Sequence, residues 1–310
     1  MAGTTVDFTN TINPHSVASE ISDRWTEWNN ARQTKIEEWK ELRNYIYATD
    51  TRTTANSKLP WTNSTTTPKL TQIADNLHAN YFSALFPQKR WFRFEANDDD
   101  SNTKAKRDVI QAYLENKIRQ SDFENTTSKL INDYIQYGNC FATVDFVRDY
   151  TVYEDGERTV NYLGPKLVRI SPFDICFNPL SPDFGSSPKI IRSIMTKGEV
   201  KRKIDETVDN AYMQEIFEKM LFNRSAASGT DIDVSKSQAF IADGFSSLQE
   251  YYESDYVELL TFYGDMYDSD TDTFHKNRII TVVDRSYVLT NEQNPSWLGK
   301  ASVFHAGWRD

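Results

Sequence analysis

Four aspartates crowd one short stretch of this chain, Asp265, Asp268, Asp270 and Asp272, and carboxylates at that density are what a hard cation such as calcium needs. The stretch lacks the closing glutamate and fixed loop length of a calcium-binding hand, so it reads as the solvated tip of a hairpin. Asp98, Asp99 and Asp100 lack that spacing too. They suit the flank of a helix beginning near Thr103, where carboxylates face the positive end of the helix dipole. His15, His78, His275 and His305 are too far apart in sequence for a local metal motif. His78 neighbours the apolar face of a predicted helix and reads as a hydrogen-bonded structural residue. Cys140 and Cys176 form neither a CxxC pair nor a Cys/His cluster, and two cysteines make no disulfide scaffold. The sequence holds no GxxxxGK[ST] phosphate loop, GxGxxG, HExxH or GxSxG. The expectation is a chain without catalytic residues, metal or cofactor, with an enzyme of unfamiliar site as the minor alternative.

Composition agrees with a structural role. The 310 residues are 38% hydrophobic and 13% aromatic, enough for a folded core and for interfaces, where aromatics are enriched. Asp and Glu outnumber Lys and Arg by 45 to 35, for a net charge of −10. Tight nucleic-acid binding depends on neutralising phosphates, so a sequence-reading DNA protein is not expected. No apolar run approaches the length of a membrane span, and MAGTTVDFTNTINP has neither the basic nor the apolar part of a secretory signal. Without such a signal, the glycosylation patterns at Asn63, Asn125 and Asn223 mean little.

The elements that must carry these residues are mostly helical at first. Ile21, Trp25, Trp28, Trp39, Leu42 and Ile46 recur at helical steps, which predicts one long helix over Val17–Tyr47, capped by Ser16 and interrupted in its stripe by Arg32 and Lys35. Trp25, Trp28 and Trp39 are candidate anchors between subunits or domains, with burial inside the chain as the alternative. A polar loop, Thr49–Thr67, leads to a helix capped by Thr67 and opened by Pro68, with Leu70, Ile73, Leu77, Tyr81 and Leu85 as its apolar face. Trp91, Phe92 and Phe94 predict a short strand. A helix beginning near Thr103 follows, and Phe123–Tyr137 is a second helix or its continuation, stopped by Gly138 and Asn139.

From Cys140 the period changes to two. FATVDFV, YTVY and TVNYL make a hairpin around Asp155-Gly156, and Gly164-Pro165 turns the chain into a further strand, KLVRI. Ile190–Met195 is another strand. Thr196 and Glu199 form a capping box for a helix with Val200, Ile204 and Val208, and the next helix places Tyr212, Ile216, Met220 and Leu221 on one side. The class is α+β. Asn223–Ser237 is the expected domain boundary. Beyond it, a short apolar-spaced segment, Ala239–Tyr252, precedes a β-rich unit, Tyr256–Asn294, with its turn at Asp268–Asp272. That unit is expected to project as a contact module. Exposed strand edges invite pairing with other chains, which makes Phe262, Tyr263, Ile279, Ile280 and Val282 candidates for intersubunit packing.

Several segments resemble the portal (head–tail connector) proteins of short-tailed, podovirus-like bacteriophages. They are EEWKELRNYIYATDTRTT, LPWTNSTTTPKLTQIADNLHANYFSALFP, YGNCFATVDF, VRISPFDICFNP, ELLTFYGDMYD, RIITVVDRSYVL and FHAGWRD. Asp75–Tyr81 and His305–Arg309 are the most specific. The resemblance implies a ring, usually of twelve subunits, at one capsid vertex, through which double-stranded DNA passes during packaging and ejection. It implies a wing over residues 1–223, a linker and approach to the first stem helix over 224–255, and a clip over 256–294. Residues 295–310 would begin the return towards a second stem helix, with the rest of the longer family pattern lying beyond Asp310. Implied partners are the major capsid protein, the large terminase, a tail adaptor and DNA held without sequence preference, with no membrane contact. Lys236 would be the channel-facing cation. The implied location is the portal vertex of the virion, after assembly in the host bacterial cytoplasm. A head–tail adaptor or minor capsid protein is the alternative.

Overall fold

Apolar residues on both faces of one strand require cover on both sides, and that requirement organises half of this molecule. The computed structural model describes residues 14–47, 69–88, 91–95, 100–153, 158–181, 183–207, 210–227, 248–268, 273–296 and 299–307. The chain divides into two compact units, one from Met1–Gln33 and Phe173–Ala301, the other from Thr34–Pro172 and Ser302–Asp310. The mixture of helices and antiparallel sheets fits the expected α+β class.

The first unit is built on a five-stranded antiparallel sheet, ordered β3 (Ile175–Phe177), β4 (Lys189–Thr196), β5 (Tyr256–Asp268), β6 (Thr273–Val283) and β7 (Tyr287–Gln293). On β5, Leu260 and Phe262 point into one cluster and Val257 and Leu259 into another, as the two-residue strand period requires. Helix α1 (Pro14–Ala31) closes the first cluster with Val17, Ala18, Ile21, Trp25 and Trp28. Helices α6 (Lys197–Glu206) and α7 (Ala211–Ala227) close the second with Val200, Ile204, Met213, Phe217 and Met220. Thr196 and Glu199 form the expected capping box of α6. On α7 the buried side is Met213, Phe217, Met220 and Arg224, a quarter-turn from the stripe expected, because apolar residues surround this helix and periodicity alone does not select a face.

This arrangement corrects three expectations. The Tyr256–Asn294 segment is not a projecting module, since β5 and β6 are central strands and share a core with α1. Phe262, Ile280 and Val282 are each 0% exposed, and Tyr263 and Ile279 are half-buried, so the first three offer no surface to another subunit. The break after Asn223 is not a unit boundary either. Strand β4 before it pairs with β5 after it along eight residues, from Lys189↔Tyr263 to Thr196↔Tyr256. Finally, the Val17–Tyr47 helix is two helices. Arg32 leaves the helical path and its guanidinium donates to Ile175 O at 2.5 Å and Phe173 O at 2.6 Å. Those two carbonyls hold the junction between α1 and α2 (Gln33–Tyr47).

The second unit has a three-stranded sheet, ordered β2 (Arg158–Ile170), β1 (Asn139–Val152) and β8 (Val303–Gly307). Gly164 and Pro165 do not turn the chain as expected. They lie inside β2, opposite Val147 and Phe146. β2 is an edge strand, where proline's missing N–H costs the ladder nothing. Helix α5 (Phe123–Tyr137) packs on β1 and β2, and Asp133, nearly buried, takes a two-pronged ion pair from Arg169. Gly138, at φ 71°, ends α5 and donates its N–H to Tyr134 O at 3.0 Å. Helices α3 (Lys69–Leu85) and α4 (Ser101–Gln120) complete the unit. Trp91–Phe94 is not a strand. Its rings join an aromatic cluster instead, Trp91 stacking on Phe123 at 5.7 Å and meeting Phe86 at 5.2 Å.

Candidate assembly surface

Helix α3 carries more apolar surface than its own unit covers. Its inner face is fixed by three contacts. Thr71 Oγ1 donates to Ile46 O, His78 Nε2 meets Ser128 Oγ at 2.9 Å and Ser128 O at 3.2 Å, and Phe82 packs on Phe86. Leu70, Ile73, Leu77 and Tyr81 form a second stripe beside that face. Leu70, Ile73 and Tyr81 are exposed, Ile73 at 54%. The sequence marked these residues as the core face of the helix. The signal for two faces was present in Phe82 and Phe86, which fall on a different arc from the first stripe.

The β1–β2 ribbon repeats the pattern. Val144 pairs with Leu167, Phe146 with Pro165 and Arg148 with Leu163. Phe146 and Val160 stand 63% and 62% exposed. β8 pairs with Asn139–Thr143 of β1, so the edge of β1 beyond Thr143 has no strand from β8 against it. On α4, Val109, Ile110 and Tyr113 are exposed, Val109 at 70%. Large apolar side chains left uncovered together are the surface that contact with another molecule would bury.

The buried charged groups of the first unit hold it together. Asp284 accepts from Arg224 Nε at 2.6 Å and Nη2 at 2.7 Å, and from Tyr251 Oη at 2.5 Å. Arg224 Nη1 also reaches Tyr256 O at 2.8 Å. Beside this pair, Arg285 donates to Glu258 at 2.8 and 3.0 Å. All four charged residues are buried. Burial first, and the Asp284 carboxylate second, drive the Tyr251 hydroxyl far above its ordinary pKa, which keeps it a proton donor. Lys189, 1% exposed, donates to Phe184 O at 2.7 Å with its ammonium 4.2 Å from the centre of that ring. Burial lowers its pKa to about 8, against a weaker opposing pull from Asp183.

His78 and Ser128 touch, but Ser128 sits mid-helix in α5. Asp265 Oδ1 accepts the Asn277 N–H at 2.7 Å and so braces the β5–β6 bulge. Among the described residues, no group of three or more His, Cys, Asp or Glu is placed to hold a metal ion. A shallow cavity of about 210 Å³ lies where α6 and α7 meet the sheet. Thr261, Thr281 and Thr290, neighbours across three strands, line it with Lys203 at the side.

Trp25 and Trp28 are buried inside the first unit, so they anchor the chain to itself. Trp39 is half-buried against Tyr137, 5.6 Å between rings. Lys236 lies outside the described residues, as do Asp98, Asp99, Asp155-Gly156, Val208, Asp270, Asp272 and the Thr49–Thr67 loop with its Pro68 start. No described helix is long and apolar enough to cross a membrane.

Residues 18–154, from α1 through β1, match the sequence model of a family described as bacteriophage head to tail connecting protein. The match covers less than half of the chain and supports a connector role in a bacteriophage. No curated protein matches the chain.

Proposed function

We propose that this chain is a portal subunit of a short-tailed, podovirus-like bacteriophage. Copies close into a ring, twelve in the pattern it resembles, at the unique vertex of the capsid in the virion. The observation that carries this reading is the match of residues 18–154 to the head-to-tail connecting family. The uncovered apolar faces of α3, α4 and the β1–β2 ribbon support it, because an assembly subunit leaves bare what its neighbours cover.

In this role the chain is assembled in the host cytoplasm. It meets the major capsid protein at its vertex, the large terminase during packaging and a tail adaptor afterwards, and DNA passes through without base readout. The chain is not an enzyme, and ATP is consumed by the separate motor. A head–tail adaptor is the second reading, favoured by the same family description. Electron microscopy of the purified chain separates the two. Closed rings with an axial hole are expected of a portal, and solid or unclosed particles would overturn it.

A further inference from the structure

Two exposed helix faces in the Thr34–Pro172 unit share one spacing and carry opposite charge. On α2, Glu38, Glu41, Leu42 and Tyr45 fall at i, i+3, i+4 and i+7, and all four are exposed. Tyr45 Oη donates to Glu41 Oε1 at 3.1 Å, and Lys35 Nζ pairs with Glu38 at 2.7 Å. Glu37, also exposed, stands at the margin. This face therefore holds three carboxylates and one ammonium around two apolar side chains.

On α4, Lys106, Val109, Ile110 and Tyr113 repeat the same spacing, and Val109, Ile110 and Tyr113 are exposed beside Lys106. Half-buried Lys117 lies one turn beyond Tyr113, its ammonium 5.6 Å from the centre of that ring and 5.2 Å from that of Tyr162 on β2, so it edges the face. Two cations bracket this apolar trio, and no carboxylate lies on the stripe. Each helix turns its other face inward, α2 through buried Ile36 and Ile46 and α4 through half-buried Leu114 and Ile118.

Neither face suits itself. Two α2 faces would set glutamate against glutamate, and two α4 faces lysine against lysine. The geometry points to a head-to-tail contact between copies of this chain, in which the acidic α2 face of one docks on the basic α4 face of the next. Leu42 and Tyr45 pack against Val109, Ile110 and Tyr113, while the glutamates flank Lys106. Charge complementarity of this kind selects the partner and its register. A contact between two different faces propagates into a ring or a filament, whereas a self-complementary one stops at a pair. The inference rests on the homo-oligomer proposed above and adds the surfaces that make it.

The test is a charge exchange in the full chain, followed by sedimentation velocity and native mass spectrometry. Glu38→Lys with Glu41→Lys, and separately Lys106→Glu with Lys117→Glu, should each weaken assembly at least about tenfold in concentration, since like charges then face each other. All four substitutions in one chain should restore it, which a merely unfolded variant could not do. Wild-type assembly that ignores both exchanges overturns these surfaces and leaves the ring intact. A wild-type chain that stays monomeric at every concentration overturns the ring and the contact together. Loss of binding to another virion protein with self-assembly unchanged would assign the faces to that protein and refute the second copy.

Discussion

Replacing Asp284 by asparagine should unfold the five-stranded unit more readily than any surface change. The carboxylate receives two N–H groups of Arg224 and the Tyr251 hydroxyl within 2.7 Å, and the arginine and aspartate side chains are 4% and 3% exposed. The asparagine keeps the shape but leaves a buried guanidinium without a counter-charge, a loss of about 3–5 kcal/mol when one member of a buried pair is removed. That is a large share of the roughly 5–15 kcal/mol by which domains are stable. Urea titration followed by tryptophan emission includes the core of this unit, where Trp25 and Trp28 lie. The midpoint should fall with the slope unchanged. Arg224→Met with Asp284→Leu should recover much of the loss, since an apolar pair carries no desolvation penalty. A D284N variant within about 1 kcal/mol of wild type would refute the reasoning, because the pair would then be no more than a surface contact.

Lys189 predicts a pH response. Its folded pKa of about 8 lies below the ordinary 10.5, so between those values the unfolded chain binds more protons and stability rises with pH. Relative to Lys189→Met, wild type should gain up to about 3 kcal/mol across that window, and parallel curves for the two proteins would contradict the burial of the amine. At Gly264, with φ at 150°, a methyl group would stand 2.9 Å from Pro188 Cβ. Its change to alanine should cost about 1–3 kcal/mol, measured by thermal unfolding. The purified chain should show no ATPase or nuclease turnover with Mg²⁺, and a turnover abolished by changing one of its own carboxylates would reveal a missed site. In competition binding at moderate salt, DNA should associate weakly and without sequence preference, as expected for a net charge of −10. Nanomolar affinity for one duplex would contradict a passive conduit.

Local signals were enough to define most elements, and long-range pairing decided their use. The capping box at Thr196, the stop at Gly138 and the strands of Tyr256–Gln293 were legible because each depends on a few adjacent residues. The place of β5 was not. VELLTF is a largely apolar run, and such a run shows burial on both faces without naming the cover. The cover on one face is α1, more than two hundred residues earlier in the chain. The same limit misplaced the boundary, since the polar stretch after Asn223 resembles a linker while Arg224 at its start and Tyr251 beyond it grip one carboxylate. The outer stripe of α3 was visible as apolar residues, but a single helix pattern does not tell core from interface. The opposed charges of α2 and α4 become meaningful only once both faces are found exposed.

The interleaving of the two units sets an order in time. On a ribosome, Val17 to Trp28 emerge well before their core partners, which run from Cys176 and Ile190 to Val288. At roughly 5–20 residues per second, the apolar face of α1 waits some tens of seconds for its cover. All of residues 34–172 are made within that interval, and β8, at Val303–Gly307, is added to β1 last. A nascent chain of this design therefore carries the apolar face of α1 only partly covered until β5, β6 and β7 have been made. Its yield should depend on chaperones that hold the N-terminus more than on the stability of the finished fold.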